Sequence, residues 1–199
     1  MTRRKNRKIA VKKNCNVRKN LTANRKYKDT VFRMLFSDRK NLLSLYNAVN
    51  GSAYEDEAAL EIVTLENAIY MGMKNDLAFI VDTGLFLYEH QSTYTPNMPL
   101  RDLFYISAEY QKFVNHRSLY SSVIQKIPAP NFIVFYNGMQ KKPEYEEMRL
   151  SDSFYHKAQE PQIEIICKVY NINPENNQIL KKKSTVLEGY TYFVEKVRE

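Results

Sequence analysis

Three polar side chains interrupt two otherwise apolar runs near the middle of the chain. Asp76 begins the first run (DLAFIV), and Glu89 and Gln91 lie at the end of the second (GLFLYEHQ). Carboxylate and carbonyl oxygens are the ligands that hard divalent cations prefer. Two acids on an apolar hairpin are costly to bury unless a cation or another partner balances their charge. These residue types therefore point to a divalent-cation site.

The spacing predicts that the three side chains share one face of a β-hairpin. With Thr83-Gly84 as the two loop residues, Asp76 lies opposite Gln91 and diagonal to Glu89. Diagonal neighbours are about 7–8 Å apart, so both carboxylates can ligate one cation. A register shift of one residue would disperse the cluster. The competing interpretation is that these acids are solvent-exposed strand ends and Gln91 is an edge residue.

Other chemistries lack positional support. The chain contains no GxGxxG and no GxxxxGK[ST] segment, which excludes nucleotide binding by those two loops. Its two cysteines, Cys15 and Cys167, cannot form a disulfide framework or a zinc site, and we expect a cytoplasmic protein. No apolar run approaches the ~18 residues of a membrane span. His90 is more typical of a hydrogen-bonded core histidine or a surface histidine than of a metal ligand.

Positive charge is concentrated at the N-terminus. The 199 residues carry a formal net charge of +8, from 30 Lys+Arg and 22 Asp+Glu. Residues 1–28 hold 12 of the basic residues and no acidic one, so the remainder has 18 basic against 22 acidic residues, a net charge of −4. We predict a disordered basic arm over residues 1–27 and a globular domain over 28–199. Residues 3–28 either neutralise nucleic-acid phosphates or form a solvated extension.

The elements that would position the hairpin follow from hydrophobic periodicity and turn residues. Asp29 or Thr30 can cap a helix over residues 31–50 that Asn50-Gly51 ends. The other predicted elements are a short strand over 61–65, a helix over 101–116, a central strand over 131–136 that is apolar on both faces, a strand over 162–170 and a C-terminal helix over 184–198. This order predicts a mixed α/β sandwich with the hairpin inside the sheet.

The hairpin and the segment after it resemble a motif of the recombination-promoting nuclease/transposase family, which is similar to the PD-(D/E)XK nuclease superfamily. The family has an Asp on one strand, E-x-Q-S on the next and M-P-L-R at the start of a helix. Here these are Asp76, EHQS over 89–92 and MPLR over 98–101. The segment KDTVFRMLF also looks like the family's D-x-x-F-K-x-x-F helix, and IVFYNG looks like its V-x-Y-x-G strand. The resemblance covers about residues 28–175.

This resemblance implies a PD-(D/E)XK-like (restriction-endonuclease-like) fold, a mixed central sheet flanked by helices. It implies a DNA endonuclease in which Asp76 and Glu89 hold Mg²⁺ or Mn²⁺ for phosphodiester hydrolysis. Gln91 would position the attacking water or the scissile phosphate, and Arg101 and Ser92 would contact the substrate. The alternative for Arg101 is a surface ion pair with an acid of the domain. The implied partner is DNA in the bacterial cytoplasm or nucleoid, with no membrane, and a homodimer is left open.

Three departures from the family pattern matter. Gln91 stands where the wider superfamily usually has Lys; glutamine is common there in this family, but an amide carries no charge. The first-helix acid is Asp29 by motif, with Glu66 as another nearby acid. Family members tend to continue beyond the position of Glu199, so the resemblance implies a C-terminally truncated copy. The alternative is therefore a catalytically inactive nucleic-acid-binding or interaction module derived from such a nuclease.

Overall fold

A mixed six-stranded sheet lies at the centre of the molecule. The computed structural model describes residues 27–63, 76–156 and 158–198. The strands are β1 (Leu60–Ile62), β2 (Leu77–Val81), β3 (Gly84–Gln91), β4 (Ala129–Tyr136), β5 (Tyr145–Arg149) and β6 (Ile166–Asn171), in the order β1-β2-β3-β4-β6-β5. β3, β4 and β6 run parallel, and the other neighbouring pairs are antiparallel.

Helices cover both faces of this sheet. They are α1 (Tyr27–Phe36), α2 (Arg39–Asn50), α3 (Met98–Phe113), α4 (Gln178–Lys183) and α5 (Thr185–Arg198). Buried residues of α1, α2, α4 and α5 share one core with one face of the sheet, and α3 packs in a second core on the other face. The predicted α/β class, with a mixed sheet flanked by helices, is therefore confirmed.

Strand β3 separates the two cores by the alternation of its side chains. Phe86 and Tyr88 belong to the core with α1 and α2, whereas Leu85 and Leu87 belong to the core with α3. Successive side chains of a strand point to opposite faces, so the period of two in the sequence fixes both cores. The neighbouring β4 is buried on both faces and lies between two parallel partners, which confirms the predicted central strand.

The structure has two helices, α1 and α2, where the sequence predicted one continuous helix over residues 31–50, so the prediction of a single helix was wrong. Asp38 adopts an extended conformation and its side chain accepts a hydrogen bond from the Asn41 N–H, which caps the N-terminus of α2. Because α1 already begins at Tyr27, Asp29 and Thr30 lie within its first turn rather than at a cap. Gly51 ends α2 with a positive φ of 67°, as predicted, because glycine adopts the left-handed region without steric cost.

Other element boundaries shift by a few residues. α3 begins at Met98 because Pro99 fits the first turn of a helix, where its missing N–H has no intrahelical partner. The predicted strand over 61–65 is seen as Leu60–Ile62, with residues 64–65 outside the described part, and the strand predicted over 162–170 begins only at Ile166. β5 and α4 were not predicted, since the YEEMR segment of β5 buries only Met148.

The hairpin register differs from the predicted one by two residues. Val81 pairs with Gly84 and Leu77 pairs with Tyr88, so Asp82-Thr83 form the loop instead of Thr83-Gly84. Asp82 has a positive φ of 52°, a conformation that Asp tolerates better than most residues. A shift of two residues keeps each side chain on its face, and it moves the position opposite Asp76 from Gln91 to Glu89.

None of the described helices is long and apolar enough to cross a membrane. The basic arm predicted over residues 1–27 lies outside the described residues except for Tyr27, which begins α1. The division into an arm and a domain therefore stays a prediction.

The buried Phe32 side chain is expected to contribute strongly to the packing of helix α1. The Phe32 ring is fully buried, with its centroid 5.1 Å from that of His90 and 5.5 Å from that of Tyr190. Phe32→Ala should lower the free energy of unfolding by about 3–5 kcal/mol because it leaves a cavity. Met34→Ala is the matched control in the same helix, since Met34 is 67% exposed. Urea denaturation that shows equal effects for the two variants would contradict this packing.

Candidate active site

Two carboxylates face each other at the end of the β2–β3 hairpin. The Asp76 N–H donates to Oε2 of Glu89 over 3.2 Å, and the His90 N–H donates to Oδ2 of Asp76 over 2.9 Å. Each acid is thus fixed by a backbone donor from the opposite segment. The structure brings Asp76 and Glu89 closer than the predicted diagonal arrangement, because the two-residue shift in register places them directly opposite each other.

Burial dominates the electrostatics of this pair. The side chains of Asp76 and Glu89 are 13% and 7% exposed. Burial raises the pKa of both carboxyl groups, and the charge of Asp76 raises the pKa of Glu89 further. The His90 N–H opposes this shift at Asp76, and Arg101 opposes it at Glu89. Two adjacent ionised carboxylates are therefore unfavourable here unless more positive charge is present.

Two guanidinium groups supply part of that charge. Arg101, in the first turn of α3, lies 2.6 Å from Oε1 of Glu89 and also donates to the Tyr105 hydroxyl over 2.7 Å. Arg33 of α1 lies 3.9 Å from Oδ1 of Asp76 and is half exposed. Arg101, predicted either to contact phosphate or to pair with an acid of the domain, is thus in an ion pair with a residue of the candidate site.

Gln91 lies two residues beyond Glu89 on the same strand and is buried. Within the described part of the chain, neither its amide nitrogen nor its amide oxygen has a hydrogen-bond partner. A buried amide without partners costs roughly 1–3 kcal/mol, so this position favours a bound water, ion or ligand atom. Ser92 follows directly after β3 and is half-buried.

His90 connects the carboxylates to the other face of the sheet. Its Nδ1 lies 2.9 Å from Oδ1 of Asp29 on α1, and its Nε2 lies 2.8 Å from the Tyr190 hydroxyl on α5. Of the two positions predicted for His90, in the core or at the surface, the structure shows the buried, hydrogen-bonded one. Asp29, considered as an additional acid, reaches the site through this ring, and its charge raises the pKa of Asp76. Glu66, the other additional acid, lies outside the described residues.

Sequence reasoning missed Tyr190. It lies 100 residues after His90, and no spacing or motif relates the two positions. A tyrosine on the apolar face of an amphipathic helix carries no sign of its hydrogen-bond partner. The signal appears only when α5 packs against α1 and the sheet.

The donor set fits a magnesium ion. Asp76 and Glu89 offer carboxylate oxygens, and Gln91 offers an amide oxygen that no described group occupies. Mg²⁺ retains several waters and is commonly held by one or two carboxylates. The described residues contain no group of three or more His, Cys, Asp or Glu side chains arranged to hold a metal.

Comparisons of the chain with models of protein families, with curated proteins and with solved structures found no match. The function is therefore argued from the geometry of the site.

Stability in the absence of divalent cations should report the raised pKa of Glu89. The native state retains a proton there that the unfolded chain releases above its ordinary pKa of 4.5. The free energy of unfolding should then fall as pH rises from 4.5 to the raised pKa of Glu89 of about 8, by up to about 1.4 kcal/mol per pH unit for this one proton, and the slope should vanish above that pH. Glu89→Gln should flatten that slope, whereas Glu61→Gln, on the exposed surface of β1, should leave it unchanged. Equal slopes for all three proteins in urea titrations with chelator would contradict the raised pKa.

Proposed function

We propose that this chain is a Mg²⁺-dependent DNA endonuclease of the recombination-promoting nuclease type, with a PD-(D/E)XK-like active site. The observation that supports this most is the buried pair Asp76 and Glu89, in which each carboxylate accepts a backbone hydrogen bond from the opposite segment, with the unpartnered amide of Gln91 on the same strand as Glu89. Metal-assisted hydrolysis of phosphodiesters needs oxygen ligands of this kind in a site of restricted solvent access.

Asp76 and Glu89 would hold the cation. When bound there, Mg²⁺ would lower the pKa of a coordinated water and place positive charge beside the phosphate oxygens. The backbone N–H groups of Asp76 and His90 fix the two carboxylates before the cation arrives, so little rearrangement is required of the acids. The Gln91 amide, which carries both a donor and an acceptor, would orient the attacking water or a phosphate oxygen.

Arg101 would contact the substrate. Its guanidinium lies in the first turn of α3, where backbone N–H groups and the helix dipole also favour an anion. A guanidinium binds phosphate through charge-assisted hydrogen bonds, and it is already present beside Glu89. Contacts of this kind carry no sequence information, so the proposal includes no sequence preference.

A second candidate is an inactive nucleic-acid-binding module derived from such a nuclease. The ion pair between Arg101 and Glu89 favours it, because the guanidinium then takes the role of the missing cation as the partner of the carboxylate. The uncharged Gln91 favours it as well, since it cannot replace the lysine usual in the superfamily. In this case DNA binding is independent of metal and is weakened by salt.

The decisive experiment incubates the purified chain with supercoiled plasmid, with and without Mg²⁺. Asp76→Asn and Glu89→Gln preserve shape and remove the ligand charge, so each should lower the rate of nicking by about 100-fold or more while circular dichroism shows an unchanged fold. Glu61→Gln is the control, as it removes an exposed acid of β1.

Nicking that requires Mg²⁺ and is lost in both variants would support the endonuclease. Metal-independent binding without nicking by a folded wild type would support the inactive module. Nicking that persists in both variants would show that the activity does not depend on this pair.

A further inference from the structure

An apolar groove lies at the edge of the sheet opposite to the carboxylate pair. It forms between the second half of α3, the short 3₁₀-helix His116–Tyr120 and the first residues of β4 and β6, and its volume is about 750 Å³. Its apolar wall includes Ile106, Tyr110, Leu119, Phe132 and Ile165. Contiguous apolar surface of this kind is typical of interaction sites on soluble proteins.

The loop that borders this groove displays large apolar side chains to solvent. Tyr120 is 94% exposed, Val123 is 73% exposed and Ile124 is 82% exposed. The loop is nonetheless fixed, because the Gln125 side chain accepts from the Asn115 N–H and donates to the Asn115 carbonyl oxygen. The exposed apolar groups of the loop in one molecule could therefore pack in the apolar groove of a second molecule.

Charges around the groove are complementary in the same way. Arg117 and Lys126 are exposed on the loop side, and residues 110–143 contain no Asp or Glu. Glu164 lines the opposite wall, Glu160 precedes it by four residues in the chain, and residues 158–167 contain no Lys or Arg. A two-fold axis would place the basic loop of one copy against the acidic wall of the other.

Exposed apolar area is concentrated at this face. Leu119 and Ile163 line the groove, and the loop that leads from Leu119 to Pro130, another lining residue, exposes four more apolar side chains: Tyr120, Val123, Ile124 and Ile127. With about 200 Å² for a fully exposed tyrosine and roughly 100 Å² for each aliphatic side chain, their exposed fractions amount to roughly 500 Å², more than half of the ~800 Å² that each partner contributes to an interface of standard size.

We propose that this face is the interface of a symmetric homodimer, in which the loop over residues 119–127 of each copy inserts Val123 and Ile124 into the groove of the other. The interface is independent of the nuclease site. Pro130 at the start of β4 lies level with Leu85 of β3, whereas the candidate site is at Gln91, six residues or about 20 Å farther along the strand. Both sites of the dimer would therefore remain open.

Sedimentation velocity of the full chain over a wide range of concentrations tests this proposal. We expect a dimer for the wild type and a rise of about tenfold or more in the dissociation constant for Ile124→Asp, since a buried charge at the centre of an interface opposes association. Ile179→Asp is the matched control, because Ile179 on α4 is similarly exposed but lies away from the groove. Circular dichroism should show the same fold for both variants.

Reversal of charge tests the geometry of the interface. Lys126→Glu should weaken the dimer, and the double variant with Glu160→Lys should restore it, which only pairing between these two surfaces explains. A wild-type monomer at every concentration, or a dimer that is unaffected by Ile124→Asp, would overturn the proposal. A monomer that instead binds an apolar small molecule in the groove would do so as well.

Discussion

The Asp76 and Glu89 carboxylates lie side by side where β2 begins and β3 ends, and both are largely shielded from water. Burying two acids costs free energy, and the surrounding groups offset part of that cost. Backbone N–H groups offset part of the cost, since each carboxylate accepts one from the segment opposite. Arg101 offsets a further part at Glu89. The pKa of both acids is still raised, which means that these groups leave the pair short of positive charge. A divalent cation is the partner that would complete the balance.

The fold positions these groups through a few direct connections. Parallel pairing of β3 with β4 brings Gln91 level with Tyr136 at the same edge of the sheet. The connection over residues 92–97 is short, so α3 begins close to the end of β3 and Arg101 reaches back to Glu89. On the opposite face, the His90 ring joins α1 to α5, while its backbone N–H holds Asp76. Residues near the start and end of the domain thus meet at one histidine, whose backbone N–H holds the Asp76 carboxylate.

Local periodicity predicted much of this arrangement, and long-range contacts decided the remainder. The common face of Asp76, Glu89 and Gln91 followed from the period of a strand, which is insensitive to a shift of two residues. The register itself was mispredicted because the left-handed conformation of Asp82 and its hydrogen bond from Tyr54 cannot be read from the turn sequence. The break at Asp38 was missed because apolar spacing continues across it, although Asp38 with Asn41 is a recognisable capping pair. The Tyr190 hydrogen bond and the polar edge strand β5 depend on packing that no local pattern records.

The most direct measurement is a calorimetric titration of the chain with Mg²⁺ near neutral pH, in buffers of different ionisation enthalpy. Because the raised pKa of Glu89 leaves a proton in the metal-free pair, cation binding should release protons into the buffer. The apparent enthalpy should then vary with the buffer for the wild type, and Glu89→Gln should abolish both the binding and the proton release. Binding that releases no protons and survives in Glu89→Gln, or an absence of binding by the folded wild type, would contradict a cation site built on these two carboxylates.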